Sequence, residues 1–541
     1  MTDSPRPPEP ARGLTRRRVL QGSLTASGLL LLPGALAACG DDGGSGAATD
    51  GQTVGGAQTI GSGGTPRSGG RLRVGHVGGG TAETLDPNSG IVGIDVARAR
   101  QLYELLFDFD PRGVPQPRLA ESLEAGARAD RWRLRLRAAN FHDGRPLTAD
   151  DVLATWRRIR TRALQSANAI AAIDLRKTRS TADDTIEIVL SRPIGDLASL
   201  LAHRASFIIP AGFSDFARPN GTGPFTLVSF KPGERSLMRR NPGYWGDAPH
   251  VDELEQISIP DSTARYNALQ GGQVDAIEAI EFAQARQLGD GTSGPVRLVR
   301  TANASALPTY MRVDEAPFTD PRVRRAMRLA VDREQSVQAA LLGYGSIGND
   351  LFGKGYPSYN DALPQRAYDP EQARSLLRAA GQDGLTVKLY SSRAVPGMLE
   401  AATAYKQQAQ AAGITIDLQT VPAADYYSDR YYLKVAFGQD QWSGSFEQTT
   451  LDGLLPDSGF NITGWRDAAW QRRFVQAQSM TDEAARNDVY KELQSTLYDE
   501  GGLIVWGYVD FLDAASARVE GIVTNPLYNL GYYEFRNWWL V

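Results

Sequence analysis

The chain has 541 residues, 42% of them hydrophobic and 22% charged, a globular composition with length for two or three packed units. A formal net charge of -4 gives no electrostatic case for a nucleic-acid partner, which calls for a basic face. One cysteine, Cys39, and four histidines without shared ligand spacing leave no internal disulfide and no zinc framework, so neither metal nor cofactor is expected.

Residues 1–39 read as an export signal. Arg16, Arg17 and Arg18 precede an apolar stretch, Leu24 to Ala38, which Ser27, Gly28, Pro33 and Gly34 interrupt. That stretch is too short and broken for a spanning helix, which needs about 20 apolar residues. It has instead the charged, apolar and small-residue order of a signal peptide. The paired arginines resemble a Tat-type signal; a basic n-region for the general secretory route is the alternative. Leu36-Ala37-Ala38-Cys39 resembles a bacterial lipobox and makes Cys39 the expected lipid attachment residue. Residues 40–68 are rich in Gly, Ser, Thr and Asp and lack the apolar surface to order themselves. They are expected to form a flexible tether reaching roughly 30 Å, holding the body outside the cell membrane by the lipid anchor alone.

In the body, strict alternation over Arg131 to Arg137 puts Trp132, Leu134 and Leu136 on one face of a strand and arginines on the other. Thr185 to Leu190 reads as a second strand. Thr148 and Asp151 offer a capping box ahead of Val152, Trp156 and Ile159. Asp320-Pro321 and Asp369-Pro370 each start a helix, with Asp as N-cap and Pro in the first turn, and Gly381 stops the second one. Thr386 to Tyr390 is a strand, Met398 to Ala412 a helix and Ile414 to Val421 a strand again. Joined this tightly, the three imply a parallel βαβ crossover and an α/β body. Ligands of open α/β sheets sit beyond the strand carboxyl ends, so the loops after Tyr390 and Val421 are candidate cleft walls.

Several blocks then fall in one order. They are Thr84-Leu85-Asp86-Pro87, Phe141-His142-Asp143-Gly144 through Val152, Gly221-Thr222-Gly223-Pro224-Phe225, Asn241-Pro242-Gly243-Tyr244-Trp245, Pro321 to Ala326 and Tyr368 to Ala373. Together they resemble the family 5 extracellular solute-binding proteins, which serve dipeptide, oligopeptide and related ABC importers. The resemblance implies a two-lobed, periplasmic-binding-protein-like (type II) α/β fold with an extra subdomain in lobe one. Carried onto this chain, lobe one takes 69–304 plus 509–541, with the subdomain at about 115–204, and lobe two takes 305–508. It also implies a monomer that grips a small solute for ABC permease subunits, without catalysis; a short peptide is expected, and a non-peptide solute is the alternative.

Phe141-His142-Asp143-Gly144 is not a catalytic dyad, because neighbours in a loop point apart and Asp-Gly signals a turn. The glycine-rich Val77 to Thr81 lacks the Lys-Ser/Thr ending of a phosphate loop. The expected ligand-binding residues are aromatic for the most part: Tyr310, Trp442, Trp506 and Tyr508, with core packing as the competing role for each. Trp442-Ser443-Gly444-Ser445-Phe446-Glu447 resembles the segment where relatives hold a peptide amine with an Asp, but the third position after Trp is Ser445 here. A neutral hydroxyl cannot supply the charge-assisted bond of a carboxylate. Either Glu447 substitutes or the ligand has no free amine. Ile91 and Val92 are further wall residues. A secreted hydrolase is the main rival, although no Gly-x-Ser-x-Gly elbow or His-Glu-x-x-His occurs; a binding protein used for signalling is the second.

Overall fold

The computed structural model describes residues 58–541 except 62–63, 91, 290–293, 429 and 457. The export signal, Cys39, most of the tether and Ile91 therefore lie outside the described residues.

Eleven strands form one large mixed sheet. Its middle is a pair of long antiparallel strands, Val296–Met311 and Leu503–Ser516, in register from Val296↔Ser516 to Tyr310↔Leu503. On one side of the pair lie Ala276–Ile277, Arg71–His76 and Glu253–Ser258, mutually parallel, followed by the antiparallel Arg235–Arg240 and Phe225–Lys231. On the other side lie Phe437–Gln439, Thr386–Ser391 and Thr415–Thr420. The last two are parallel, with Leu389 opposite Leu418, and the helix Met398–Ala409 joins them. This is the βαβ unit expected from the sequence.

The cores follow the same division. One hydrophobic cluster gathers residues between Ala306 and Val509, and a second gathers residues between Leu106 and Ile208. The second sits against a separate four-stranded sheet that includes Arg131–Leu136 and Thr185–Val189. Trp132, Leu134 and Leu136 are buried there and the intervening arginines are exposed, as strict alternation requires. Its helix Ala149–Thr161 starts where the capping box was read. Thr148 N donates to Asp151 Oδ2 at 2.9 Å, satisfying a donor that the first turn leaves unpaired. Asp320 and Asp369 likewise accept from the amides of Arg322 and Gln372, both at 2.8 Å, and Gly381 ends the second of those helices at φ +70°.

One expectation is corrected. Free tether was expected through residue 68, yet Thr59–Ile60 pairs antiparallel with Ile522–Val523. Gln58 N also donates to Thr524 Oγ1 at 2.9 Å. Backbone pairing needs no run of apolar side chains, and the one large apolar residue, Ile60, packs against the core of the Arg71–His76 side.

Candidate functional site

The register of the central sheet places the site. Arg71–His76 and Ala276–Ile277 are parallel, and Ile277 lies opposite Ala514 of a strand running the other way. Their carboxyl ends therefore point toward the middle of the long pair, at residues 507–512. From the other half, Gln439 lies opposite Thr309, and the pairing continues through Asp440 N to Pro308 O and on to the Ala306↔Trp442 bridge. The carboxyl ends of Thr386–Ser391 and Phe437–Gln439 thus point toward the same middle. Strand ends of both halves converge where the chain crosses twice, which is the position at which open α/β sheets bind ligands.

The crossing itself is irregular. The register of Val296–Met311 shifts between Thr301 and Ser305, and Asn303 there adopts φ +55°. Asp510 opposite caps the bulge, accepting from Asn303 N at 3.0 Å and Arg300 Nε at 2.6 Å. Ser346, on the short strand Gly345–Ile347, donates to Asn303 Oδ1 and accepts from Lys354 Nζ. Burial pulls the Lys354 ammonium below its ordinary value while Asp510 raises it. Lys354, Asp510 and Asn303 were not singled out from the sequence. Their meeting depends on strand pairing across more than 200 residues, which no local pattern carries.

The aromatic candidates gather beside this crossing as buried supports. Trp442 exchanges both backbone bonds with Ala306, and its Nε1 donates to Asp440 Oδ2 at 2.9 Å. Its ring packs on Phe352. Tyr508 donates to Leu351 O at 2.6 Å and lies under Lys354. Trp506 is buried, its carbonyl accepting from Gly348 N. Tyr310 is 1% exposed; a Cβ on Gly438 would lie 2.5 Å from its hydroxyl, so only glycine fits there. Val92 is the N-cap of the helix Gly93–Leu102 and packs beside Gly79.

Ser445 and Glu447 have local partners. Ser445 caps the helix Phe446–Gly453, accepting from Gln448 N at 3.3 Å and donating its own amide to Gln448 Oε1. Glu447 accepts from Gln478 Nε2 at 3.2 Å, and burial, with Asp196 adding to it, pushes its carboxyl above the ordinary range. Gln478 belongs to a second meeting of the halves. Gly195 N donates to Gln478 O at 2.7 Å, Arg192 Nη1 to Gln478 Oε1 at 3.1 Å, and Arg486 pairs with Asp196 at 3.4 Å.

At the strand ends of the first half, Leu530, Gly531, Tyr532 and Tyr533 all have φ between 50° and 60°. A left-handed residue other than glycine costs roughly 1–2 kcal/mol, so the turn needs anchors. Asp513 accepts from Leu530 N and Asn529 Nδ2, Gln101 Nε2 donates to Tyr533 O, and the Tyr533 hydroxyl donates to Glu278 Oε2. The Arg100 guanidinium lies 3.7 Å over the Tyr532 ring.

His142 and Asp143 serve structure. His142 Nε2 lies 3.1 Å from Gly223 O, and Asp143 Oδ1 accepts from Arg145 N across the turn at Gly144. Among the described residues no group of three or more His, Cys, Asp or Glu is placed to hold a metal ion. Two concavities of about 520 and 310 Å³ lie on the solvent face of the four-stranded sheet, between Arg131, Arg133, Arg179 and Glu187. Long exposed side chains form much of their walls and none of their lining residues belongs to the crossing strands, so the converging strand ends are the candidate site instead.

Comparison with known proteins accords with this geometry. The model of the bacterial extracellular solute-binding proteins, family 5 Middle, matches residues 114–454. The glutathione-binding protein GsiB of Pectobacterium atrosepticum is 25% identical over 480 residues, 83% of this chain and 91% of its own length. The dipeptide-binding protein of Escherichia coli is 24% identical, covering 78% of this chain and 85% of the relative. Among solved structures, the ABC transporter substrate-binding protein CtaP of Listeria monocytogenes superposes with a TM-score of 0.77 at 19% identity, over 88% of this chain and 100% of that one. The periplasmic binding protein DppA of Helicobacter pylori, in complex with the peptide STSA, gives 0.71 at 18% identity, over 88% and 98%. These likenesses carry the two-lobed α/β fold. With a family model matching well over half of its length, the chain belongs to the bacterial extracellular solute-binding proteins of family 5.

Proposed function

We propose that this protein captures a peptide or peptide-like solute between two lobes and delivers it to ABC permease subunits, with no bond made or broken. The observation that carries the reading is the convergence of strand carboxyl ends from both halves on one pair of crossing strands. Two strands are a connection thin enough to bend, and bending closes the lobes over a ligand. Solute binding then shifts the population toward the closed form, which the permease recognises. The proposed lobes are 69–304 plus 509–541, and 305–508, with the subdomain at 115–204. The peptide class rests on relatives named for glutathione, dipeptide and peptide binding.

The solute differs from a simple dipeptide in how its amine is held. Ser445 offers no charge and already caps a helix, and Glu447 already accepts from Gln478. Cys39 is the proposed lipid attachment residue, fixing a monomer to the outer face of the membrane. Native mass spectrometry of protein purified without denaturation tests the reading. One small-molecule mass bound per chain is expected, and turnover of peptide or ester substrates would overturn it. Replacing Cys39 with Ser is expected to release the protein from the membrane fraction.

A further inference from the structure

Away from the crossing strands, residues 192–196 of the proposed subdomain meet three helices of proposed lobe two, Phe446–Gly453, Ala468–Gln478 and Glu483–Glu500. Glu447 sits inside this contact. Its carboxylate accepts from the neutral Gln478 Nε2 at 3.2 Å. The two arginines of the contact are engaged with other partners, Arg486 Nη2 with Asp196 Oδ2 at 3.4 Å and Arg192 Nη1 with Gln478 Oε1 at 3.1 Å. The Tyr490 hydroxyl also faces Glu447, and burial, with Glu447 adding to it, raises that hydroxyl above its ordinary value.

Asp196 approaches from the opposite side. Its Oδ1 accepts from Ser199 N at 3.1 Å and its Oδ2 from Ser199 Oγ at 2.7 Å, so the start of the helix Leu197–Leu201 fixes its carboxylate. Glu447 is thus faced by Gln478, Arg486 and Tyr490 from its own half and by Asp196 and Arg192 from the other. Two carboxylates oppose each other across one contact. A carboxyl that loses water on burial and gains a like-charged neighbour favours its protonated form. Burial and Asp196 together push the Glu447 carboxyl above its ordinary range, outweighing the Gln478 bond and Arg486.

Opening the contact eases both influences, because Asp196 leaves with the subdomain and water reaches Glu447. The open form therefore gives up a proton that the closed form keeps. A carboxyl raised on closing favours the contact fully below its ordinary value of about 4.3. That contribution is lost as pH rises through the value it has in the closed form. Arg486 can keep its bond to Asp196 in either state, so ionisation weakens the contact without abolishing it.

We propose that Glu447 and Asp196 form a proton-sensitive latch between the subdomain and lobe two, which holds the halves together while Glu447 carries a proton and loosens when the proton leaves. The latch rests on the capture reading above. It makes the hold on a solute firmer in acidic surroundings, with control placed far from the crossing strands.

The test uses the full chain freed of cargo by dialysis from denaturant and refolding, followed by small-angle scattering from pH 4.5 to 7.5. The radius of gyration of wild type is expected to rise with pH, the closed-to-open ratio changing by up to about tenfold per pH unit. Glu447→Gln keeps an acceptor for Gln478 and cannot ionise, and is expected to stay compact over the whole range. Asp196→Asn removes the opposing charge and is expected to flatten the response at a larger radius. A wild-type radius that ignores pH, or a Glu447→Gln curve parallel to that of wild type, would overturn the latch. Should circular dichroism show Glu447→Gln unfolded, Asp196→Asn decides: a pH response equal to that of wild type overturns the latch, and a flattened one supports it. Solute retained on protein purified without denaturation, alongside a cargo-free radius that ignores pH, would sink the latch and leave the capture reading standing.

Discussion

Where Val296–Met311 runs beside Leu503–Ser516, the halves of the molecule share a long backbone ladder, buried over most of its length and braced by Trp442 and Tyr508. Where Arg192–Asp196 meets Gln478–Arg486, they share a few polar contacts and no backbone ladder. The first contact cannot part without exposing unpaired amides and carbonyls, each of which is costly to leave unmade. The second parts at small cost, because water replaces its bonds. On the capture reading proposed above, a molecule joined in this way is expected to open at the polar contact and pivot at the ladder. The Asn303 bulge, which leaves a gap in the ladder between Thr301 and Ser305, is the proposed place for that pivot.

Breaking the ladder's support is expected to have the largest effect. Trp442→Ala removes a ring packed on Phe352 and over Gly453 and should lower the unfolding free energy by about 3–5 kcal/mol, read by guanidinium unfolding; a loss near zero would remove the ring from the crossing's support. Asp510→Asn strips the charge that receives Arg300 and the Asn303 amide. A loss of about 1–3 kcal/mol is expected, and if Asn303 is the pivot the variant also closes less completely in small-angle scattering with solute present.

Asp513 gives the same strand a pH dependence. Burial, with Glu278 adding to it, holds its carboxyl up at about 7. A carboxyl raised on folding contributes stability that is fully present below the ordinary carboxylate value of about 3.9 and is lost as pH rises to about 7. The stability of wild type relative to Asp513→Asn should therefore fall from pH 4 toward pH 7 in a series of thermal melts. Parallel pH curves for the two proteins would dismiss the effect.

The polar contact should answer differently, in shape more than in stability. A Cβ at Gly195 would lie 1.8 Å from Met480 O and 2.8 Å from Thr481 N, backbone atoms that cannot swing aside. Gly195→Ala should thus force the contact apart, enlarging the radius of gyration without solute while changing stability by less than about 1 kcal/mol. An unchanged radius would mean that the halves are held together elsewhere.

Much of the local architecture was legible beforehand. The Thr148 capping box, the Asp-Pro helix starts at 320 and 369, the alternating strand around Trp132 and the βαβ unit all stand where their patterns put them. Each depends on neighbours within a turn or a strand, and periodicity reports those directly. The candidate site was less legible. Trp442 and Tyr508 do lie at the crossing, but sequence could not distinguish a ring facing solute from one bracing the strands, since both demand a large apolar surface. Ser445 stood out as an uncharged residue where relatives carry an acid. Its helix cap through Gln448 follows the same capping-box spacing as Thr148 and Asp151.

What the sequence determined by itself is the kind of molecule: an α/β body and the family to which that body belongs. These are carried by short-range patterns and by the order of motifs. Tertiary structure alone decided which residues meet: Asp510 with Asn303, Gln478 with Gly195 and Glu447, and Arg486 with Asp196. Such pairs, apart from Asp510 and Asn303, come from segments with no shared ladder, and all are separated by long stretches of chain. Their contact is set by strand order and by how two cores dock, and no residue's own type or spacing encodes that.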